Sequence, residues 1–483
     1  EEMPRQIAIS AAFAATIALG LATESFAGQT YTREEAVNIA MEKSSAIKSA
    51  EEELVSANSK ITSGYGNALP TIDLDATVTR IFGLDDVKKS SDVSDAASYY
   101  ASQETADGNG VSHPNANAFD TEVIGPALDG ISNALASQGY RWQSSVGITA
   151  TQVLYAQGKV GTGIEIAKAY KRQKEVSLDN EKSKVRYDVE NAFDQLIVMD
   201  SSVAILEASI ALTQSNIDFV TQSYQSGMVG ELDLIRAKLQ LDELNSQLET
   251  LQKQRVLARN NLLNTMGLEF DADVQFEGTL RNPENEFTYP DTSMSNVKKR
   301  RKELVMLEIG EEMLSKNIDI EEGGYKPTVV LGGTIKYSNN QNEFYKWDAP
   351  DWDKNINKIA FLKVTMNLFN GMKTRESVVQ AKSSLRSTQI QKETAERGFR
   401  LEIESCARTL DNAQTQLVLK KNSIELAQKN YDMTEAAYKI GQETQLNLLS
   451  ANMSLRNAKM NYLNAVLDWN KALNALLKAT GEY

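Results

Sequence analysis

The stretch YKIGQETQLNLL, residues 438–449, repeats the pattern of YQSGMVGELDLI, residues 224–235, with Tyr, Gly and two Leu in the same places 214 positions apart. The offset is not confined to the turn. Leu154 maps on Leu368, Ala167-Lys168 on Ala381-Lys382, Ile210 on Ile424, Asn216 on Asn430, Asp218 on Asp432 and Gly267 on Gly481, all without a gap. Between Tyr224 and Gly267, 11 of 44 positions are identical in the second copy, and shared helical composition does not place Gly both in the turn and at the far end. The chain is therefore read as two copies of one unit.

Each copy carries a very long helical pattern. Apolar residues recur every seven positions at Val189, Leu196, Val203, Ile210, Ile217 and Tyr224, and again at Ile403, Leu410, Leu417, Ile424, Tyr431 and Tyr438. No Pro interrupts Gly158 to Tyr224 or Lys373 to Tyr438. At about 1.5 Å per residue, some 67 residues make a rod of roughly 100 Å, and a sevenfold repeat of that length signals coiled-coil packing. After the turn a second helix runs back, with Ala237, Leu241, Leu244, Leu248, Leu251, Ala258 and Leu262 at spacings of three, four and once seven. Its twin reads Ala451, Leu455, Ala458, Tyr462, Ala465, Trp469, Ala472 and Leu476, an alternation of small and large that lets two antiparallel helices interdigitate. Ser, Asn, Gln and Lys fill the remaining faces, so each rod has one packed seam and a wide wet surface.

Two strand patterns precede each long helix. Ile72, Leu74, Ala76 and Val78 alternate with Asp and Thr; Trp142, Val146, Ile148, Ala150 and Leu154 alternate with Gln, Ser, Gly and Thr. In the second copy Val329, Leu331 and Ile335 alternate with mainly polar or small residues, and Ala360, Leu362, Val364, Met366 and Leu368 with Phe361, Lys363, Thr365 and Asn367. Strands of about 10 residues with this period fit a membrane β-barrel; a soluble sheet with one wet face gives the same alternation. A polar loop of residues 83–140 and a shorter one, residues 339–355, holding Trp347 and Trp352, favour the exported barrel, because soluble domains keep such loops short. The organisation expected is a first repeat over 28–267, with strands near 71–82 and 141–156, and an inter-repeat equatorial segment over 268–295. A second repeat over 296–483 has strands near 327–338 and 356–369 and a helical hairpin over 373–480.

The ends and the composition bound the location. Met3, Arg5, the apolar run Ile7 to Ala22 and the small-residue site Ser25-Phe26-Ala27 read as a signal peptide, residues 1–27, cut before Gly28. No Cys follows the cut, so no lipid anchor is expected, and no later run is apolar enough for a membrane-spanning helix. A net charge of −14 argues against nucleic acid or an anionic membrane surface as partner. An exported chain that spans a membrane must then do so with strands. Four strands cannot close a barrel, and in lipid each unpaired edge group costs several kcal/mol, so each chain shares a barrel with other copies. The two turns then fall at equivalent places around one mouth.

The signal peptide, the repeated halves, the YxxGxxxxLxLLxA turn and the Ala/Leu alternation after it resemble the TolC-type outer membrane efflux proteins over nearly the whole mature chain. The resemblance implies a mainly α fold with a membrane β-barrel portion: three chains form a 12-stranded barrel, four strands each, continued by a periplasmic α-helical barrel of long coiled-coil hairpins. It also implies an outer membrane channel-tunnel in a Gram-negative bacterium, embedded in outer membrane lipid. As a homotrimer it would dock on a periplasmic adaptor (membrane fusion) protein and an inner-membrane pump, or the ABC transporter of type I secretion.

Carried over residue by residue, the family's closure of its periplasmic aperture is only partly present. Asp233, six residues after Gly227, takes the place of a latch aspartate and Tyr438 that of the matching tyrosine. Glu443 stands where the basic partner belongs, and Asn447 and Ser450 where the inner acidic rings belong. Glu231, Asp233 and Glu443 are candidates for an alternative acidic mouth. The turns themselves, Gly227, Met228 and Val229 with Leu232, and Gly441, Gln442 and Thr444 with Leu446, are candidates for adaptor docking.

Nothing in the sequence points to catalysis, a cofactor or a metal. After the leader the sole His is His113, in the long loop beside Pro114, with no phosphate loop and no His/Cys set at metal spacing. The rival reading is a periplasmic coiled-coil adaptor or structural protein, which the doubled strand pair and long outer loop disfavour. Cargo is open: drugs, metal ions and unfolded proteins all suit a wet tunnel.

Overall fold

The computed structural model describes residues 29–82, 141–227, 229–270, 274–281, 289–341 and 355–483. The expected leader, the 83–140 loop with His113, Trp347, Trp352 and Met228 lie outside the described residues. In chain order the elements are β1 (Gln29–Tyr31), α1 (Arg33–Lys43), α2 (Ser45–Gly66), β2 (Thr71–Arg80), β3 (Trp142–Ala156), α3 (Lys159–Gln225), α4 (Glu231–Met266) and β4 (Val274–Phe276). There follow α5 (Met294–Arg300), α6 (Lys302–Glu322), β5 (Thr328–Gln341), β6 (Ile356–Thr365), α7 (Lys373–Lys439) and α8 (Gln445–Thr480). Both long hairpins keep the 214-residue offset at every helix boundary. So does the corner before each: Gln157 and Gly158 sit at φ 58° and 81°, and Gly371 and Met372 at 66° and 65°.

By its internal contacts the chain divides into two compact units. One, Lys60–Ala167 with Ser315–Ser383, holds a four-stranded antiparallel sheet in the order β2-β3-β5-β6, so the central pair joins the two repeats. The register lines the side chains up in rows across the four strands. Ile72, Ala150, Gly333 and Ala360 form one row, and Leu74, Ile148, Ile335 and Lys358 the next on the same face. On the opposite face run Asp73, Thr149, Thr334 and Ile359, and Asp75, Gly147, Lys336 and Asn357. Ile72, Leu74 and Val78 are 65–72% exposed, so the apolar face is uncovered, which a soluble sandwich would not tolerate. Phe361 lies across Gly332, where a Cβ would come within 2.2 Å of its ring. Among the described residues β2 and β6 each pair on one side only, leaving an open backbone edge. Two strand ends differ from expectation: β5 runs on to Gln341, and β6 stops at Thr365, with Leu368 and Phe369 beyond it and almost fully exposed.

The other unit, Glu1–Ser59 with Lys168–Leu314 and Ser384–Tyr483, is helical among its described residues apart from β1 and β4, which pair in parallel, β4 lying in the segment expected to be equatorial and β1 at the start of the first repeat. Two apolar clusters anchor it. Ala36 and Ala40 of α1, Val189, Phe193 and Leu196 of α3, and Leu262, Leu263 and Met266 of α4 form the first. Ile403, Leu410 and Leu417 of α7 with Trp469, Leu473 and Leu476 of α8 form the second.

The sevenfold track needs correction in the first copy. Val189, Leu196 and Ile217 are buried, but Val203 and Ile210 are only half-buried, and burial passes instead through Ser202, Leu206, Ser209, Thr213 and Val220. A helix near 3.6 residues per turn drifts off a strict period of seven, and small hydroxyl residues take the seam where it drifts. A second correction concerns membrane helices: within α3 one 18-residue window is long and apolar enough to cross a membrane by length and composition. That helix is a hairpin arm, and its Asp200 is ion-paired with Arg255 of α4.

Buried charges tie the helical unit together. Arg33, at the start of α1, pairs with fully buried Asp194 of α3. Glu190, one turn before, meets Arg281 and Arg186 and accepts from the Tyr483 hydroxyl at 2.9 Å. Burial works against the charge of Glu190, but Arg281, Arg186 and Tyr483 together hold its carboxyl below the usual range. For Asp194 burial outweighs Arg33 and pushes the carboxyl up.

Candidate functional site

The two hairpin turns are built alike. Gly227 and Gly441 adopt φ 74° and 76°, and their amides donate to Tyr224 O at 2.9 Å and Tyr438 O at 3.0 Å. Such an angle is costly with a Cβ, which is why Gly recurs there. Beyond the turns the copies differ. At the start of α8 the Thr444 hydroxyl accepts from Asn447 N at 3.3 Å, a side-chain cap. At the start of α4 the cap is Gly230, which has no side chain to offer; Glu231 and Asp233 in the first turn meet the helix dipole instead.

Of the residues expected to form the aperture, Asp233 and Tyr438 come from different hairpins, and the aspartate is near enough for its charge to act on the tyrosine. Tyr438 is 9% exposed, stacked edge-on against Phe219 at 5.7 Å, whereas its counterpart Tyr224 is 42% exposed. Burial first, and then the charge of Asp233, push the Tyr438 hydroxyl up, and its oxygen makes no hydrogen bond. Asp233 finds its cation locally, Arg236 at 3.6 Å on the next turn of α4. Glu443 accepts from Asn447 Nδ2 at 2.6 Å, so these two belong to one turn. Ser450 is exposed and lines a groove of about 570 Å³ with Arg236, Gln240 and Glu243 of α4 and Leu446, Leu449 and Met453 of α8. Glu231, an aperture candidate, is exposed; among the docking candidates Gly227, Gly441, Gln442 and Thr444 are exposed, as are Leu232 and Leu446, and Val229 is half-buried.

Sequence reading missed three groups here. Arg236 restores a basic partner to Asp233, and the Asp-x-x-Arg spacing on one helix face was the available signal. Phe219, on α3, is the surface Tyr438 packs against, and the sequence does not couple positions on different helices. Gln445 is 3% exposed with both amide atoms unpartnered, although it opens a helix, where side chains are usually wet.

The chain matches the sequence profile of the family described as outer membrane efflux protein over residues 36–268 and 294–482. It is 21% identical over 332 residues to outer membrane protein TolC of Salmonella enteritidis, covering 67% of this chain and 66% of that protein. It is 24% identical over 292 residues to TolC of Escherichia coli (strain K12), covering 58% and 56%. The chain thus spans just under two thirds of the first relative and little more than half of the second. In fold it is similar to the outer membrane protein VceC of Vibrio cholerae, with TM-score 0.66 at 15% identity over 93% of this chain and 96% of that one. The CmeC outer membrane channel of Campylobacter jejuni gives TM-score 0.70 at 13% identity over 93% and 85%.

Proposed function

The chain belongs to the outer membrane efflux protein family, channels of the Gram-negative outer membrane, and on that premise we propose that it is the exit duct of an export machine. Three copies close a 12-stranded barrel, and their hairpins surround a periplasmic tunnel fed by an adaptor protein and an inner-membrane pump or ABC transporter. The observation that carries this reading is the sheet: four strands with one uncovered apolar face, one mainly polar face and, among the described residues, two open edges. Such a sheet is stable in lipid only when its edges are paired by other strands. On extraction, the protein is expected to stay in the outer membrane fraction through salt and alkaline washes and to leave it only with detergent, as a heat-modifiable oligomer. Recovery of a monomer in the detergent-free periplasmic fraction would overturn the proposal.

The hairpin ends form the aperture in this reading, with the turns from Gly227 and Gly441 as adaptor contacts. Without an inner acidic ring at Asn447 and Ser450, Glu231, Asp233 and Glu443 supply the negative mouth. In planar bilayers a trivalent cation added on the periplasmic side is therefore expected to block conductance. In Asp233→Ala the blocking concentration should rise about tenfold, the effect of losing roughly 1.4 kcal/mol of attraction. Block at an unchanged concentration would remove Asp233 from the mouth.

A further inference from the structure

The polar side of the sheet is interrupted on β6. The side that carries Asp73, Thr149 and Thr334 is mainly polar along β2 and β3, yet β6 presents Ile359 and Phe361 on it, 58% and 38% exposed. Phe361 is held in place by its partner on β5, Gly332. A Cβ on that glycine would lie 2.2 Å from the ring tip and almost equally far, 2.7 and 2.8 Å, from the two flanking ring carbons. A point so placed lies beneath the ring rather than beyond its edge, so the ring lies flat on the strand. Covering a strand glycine accounts for Phe361. It does not account for Ile359, which stands opposite Thr334 on the same side. Lys336, opposite Asn357, and Lys363, opposite Val330, bound this apolar stretch; both are exposed and, among the described residues, neither is in an ion pair. No carboxylate occurs on β3, β5 or β6.

In the proposed shared barrel this side faces the water-filled passage, because the opposite side, with Ile72 and Leu74, meets lipid. We propose that Phe361 and Ile359 form a contact station on the passage wall for planar aromatic molecules bearing an acidic group, with Lys336 and Lys363 meeting the acid. A ring laid flat on the wall receives a second ring in an offset stack, a geometry that a flexible aliphatic chain does not match. The charge argument is local. In a chain of net charge −14, these strands set two unpaired ammonium groups beside exposed apolar surface, while Asp73 and Asp75 lie on β2 at the other edge of the sheet. From Asn357 to Lys363 the strand advances about 20 Å at 3.3 Å per residue. That length leaves room for two or three fused rings between the lysine side chains.

This inference rests on the proposed channel and names a class of molecule that its wall holds. The test uses the full-length protein in nanodiscs of zwitterionic phospholipid, titrated into 8-hydroxypyrene-1,3,6-trisulfonate, a planar aromatic anion too hydrophilic to enter lipid. Its fluorescence anisotropy is expected to rise and saturate with protein and to stay flat with empty nanodiscs. Phe361→Ala should raise the half-saturating protein concentration about tenfold, the scale of losing one stacked ring. Lys336→Gln combined with Lys363→Gln should raise it too and flatten its dependence on salt. Two variants keep a side chain over Gly332 or leave that contact untouched: Phe361→Trp should bind like the parent, and Ile359→Thr more weakly. Equal titration of the parent and Phe361→Ala, or no saturable rise in the parent, would overturn the station; detergent-dependent extraction as a heat-modifiable oligomer would then still uphold the channel reading. A soluble periplasmic monomer would overturn both.

Discussion

Replacing Gly267 or Gly481 by Ala is expected to cost about 2–5 kcal/mol of stability, while Gly227→Ala and Gly441→Ala cost about 1–2 kcal/mol. All four glycines share nearly one backbone angle, φ 74–76°, so conformational strain alone predicts equal effects. What differs is room. A Cβ on Gly267 would lie 2.6 Å from Lys43 O, and one on Gly481 would lie 2.9 Å from the Arg300 carbonyl carbon, both rigid backbone at the break between two helices. At Gly227 and Gly441 no atom lies within 4 Å. Each returning helix thus ends by tucking its left-handed cap against the joint of a helix pair, α1 with α2 in one repeat and α5 with α6 in the other. Denaturation of the detergent-solubilised protein followed by far-ultraviolet circular dichroism reads the difference. Equal midpoint shifts in all four variants would show that the tight contact carries no energy.

Arg33→Ala is expected to destabilise by about 3–5 kcal/mol, because it leaves a fully buried carboxylate, Asp194, without its partner. Asp194→Asn in the same molecule should recover part of that loss, since an amide at this depth has no charge to compensate. The pH dependence has a definite sign. Burial already raises the Asp194 carboxyl in the folded chain, and removing Arg33 takes away the main opposing effect. A carboxyl raised above its unfolded value, about 3.9, favours the folded state when protonated, so its contribution is complete below that value and lost as pH rises through the folded one. The deficit of Arg33→Ala should therefore shrink as the pH is lowered from 7 toward 4, and should not shrink in the Arg33→Ala/Asp194→Asn protein. A deficit independent of pH in the single variant would mean that Asp194 is not left buried and charged.

Much of the fold was legible because its signals are local. A Pro-free run, a helix cap and a Gly at positive φ depend on a few neighbouring residues, which is why α3, α4, α7 and α8 begin and end where the repeat offset places them. The strands were legible for the same reason, since alternation records which side each residue faces. At the hairpin turns the residue order points to Asp233 and Tyr438, the aspartate's charge acting on the tyrosine, but not to Arg236, which pairs with Asp233, or to Phe219, against which Tyr438 packs. Seams on long helices were read less well, because Val203 and Ile210 keep the sevenfold period and yet yield the packed stripe to Ser202, Ser209 and Thr213.

The duplication, the hairpins, the four strands and the two-faced character of the sheet are all readable in the order of residues alone. That β3 pairs with β5 across the repeats, and that Arg33 reaches Asp194 from 161 residues away, emerges only once the chain is folded. The reason is physical: periodicity and caps are written in each segment, whereas which face meets which depends on surfaces brought together from distant parts of the chain.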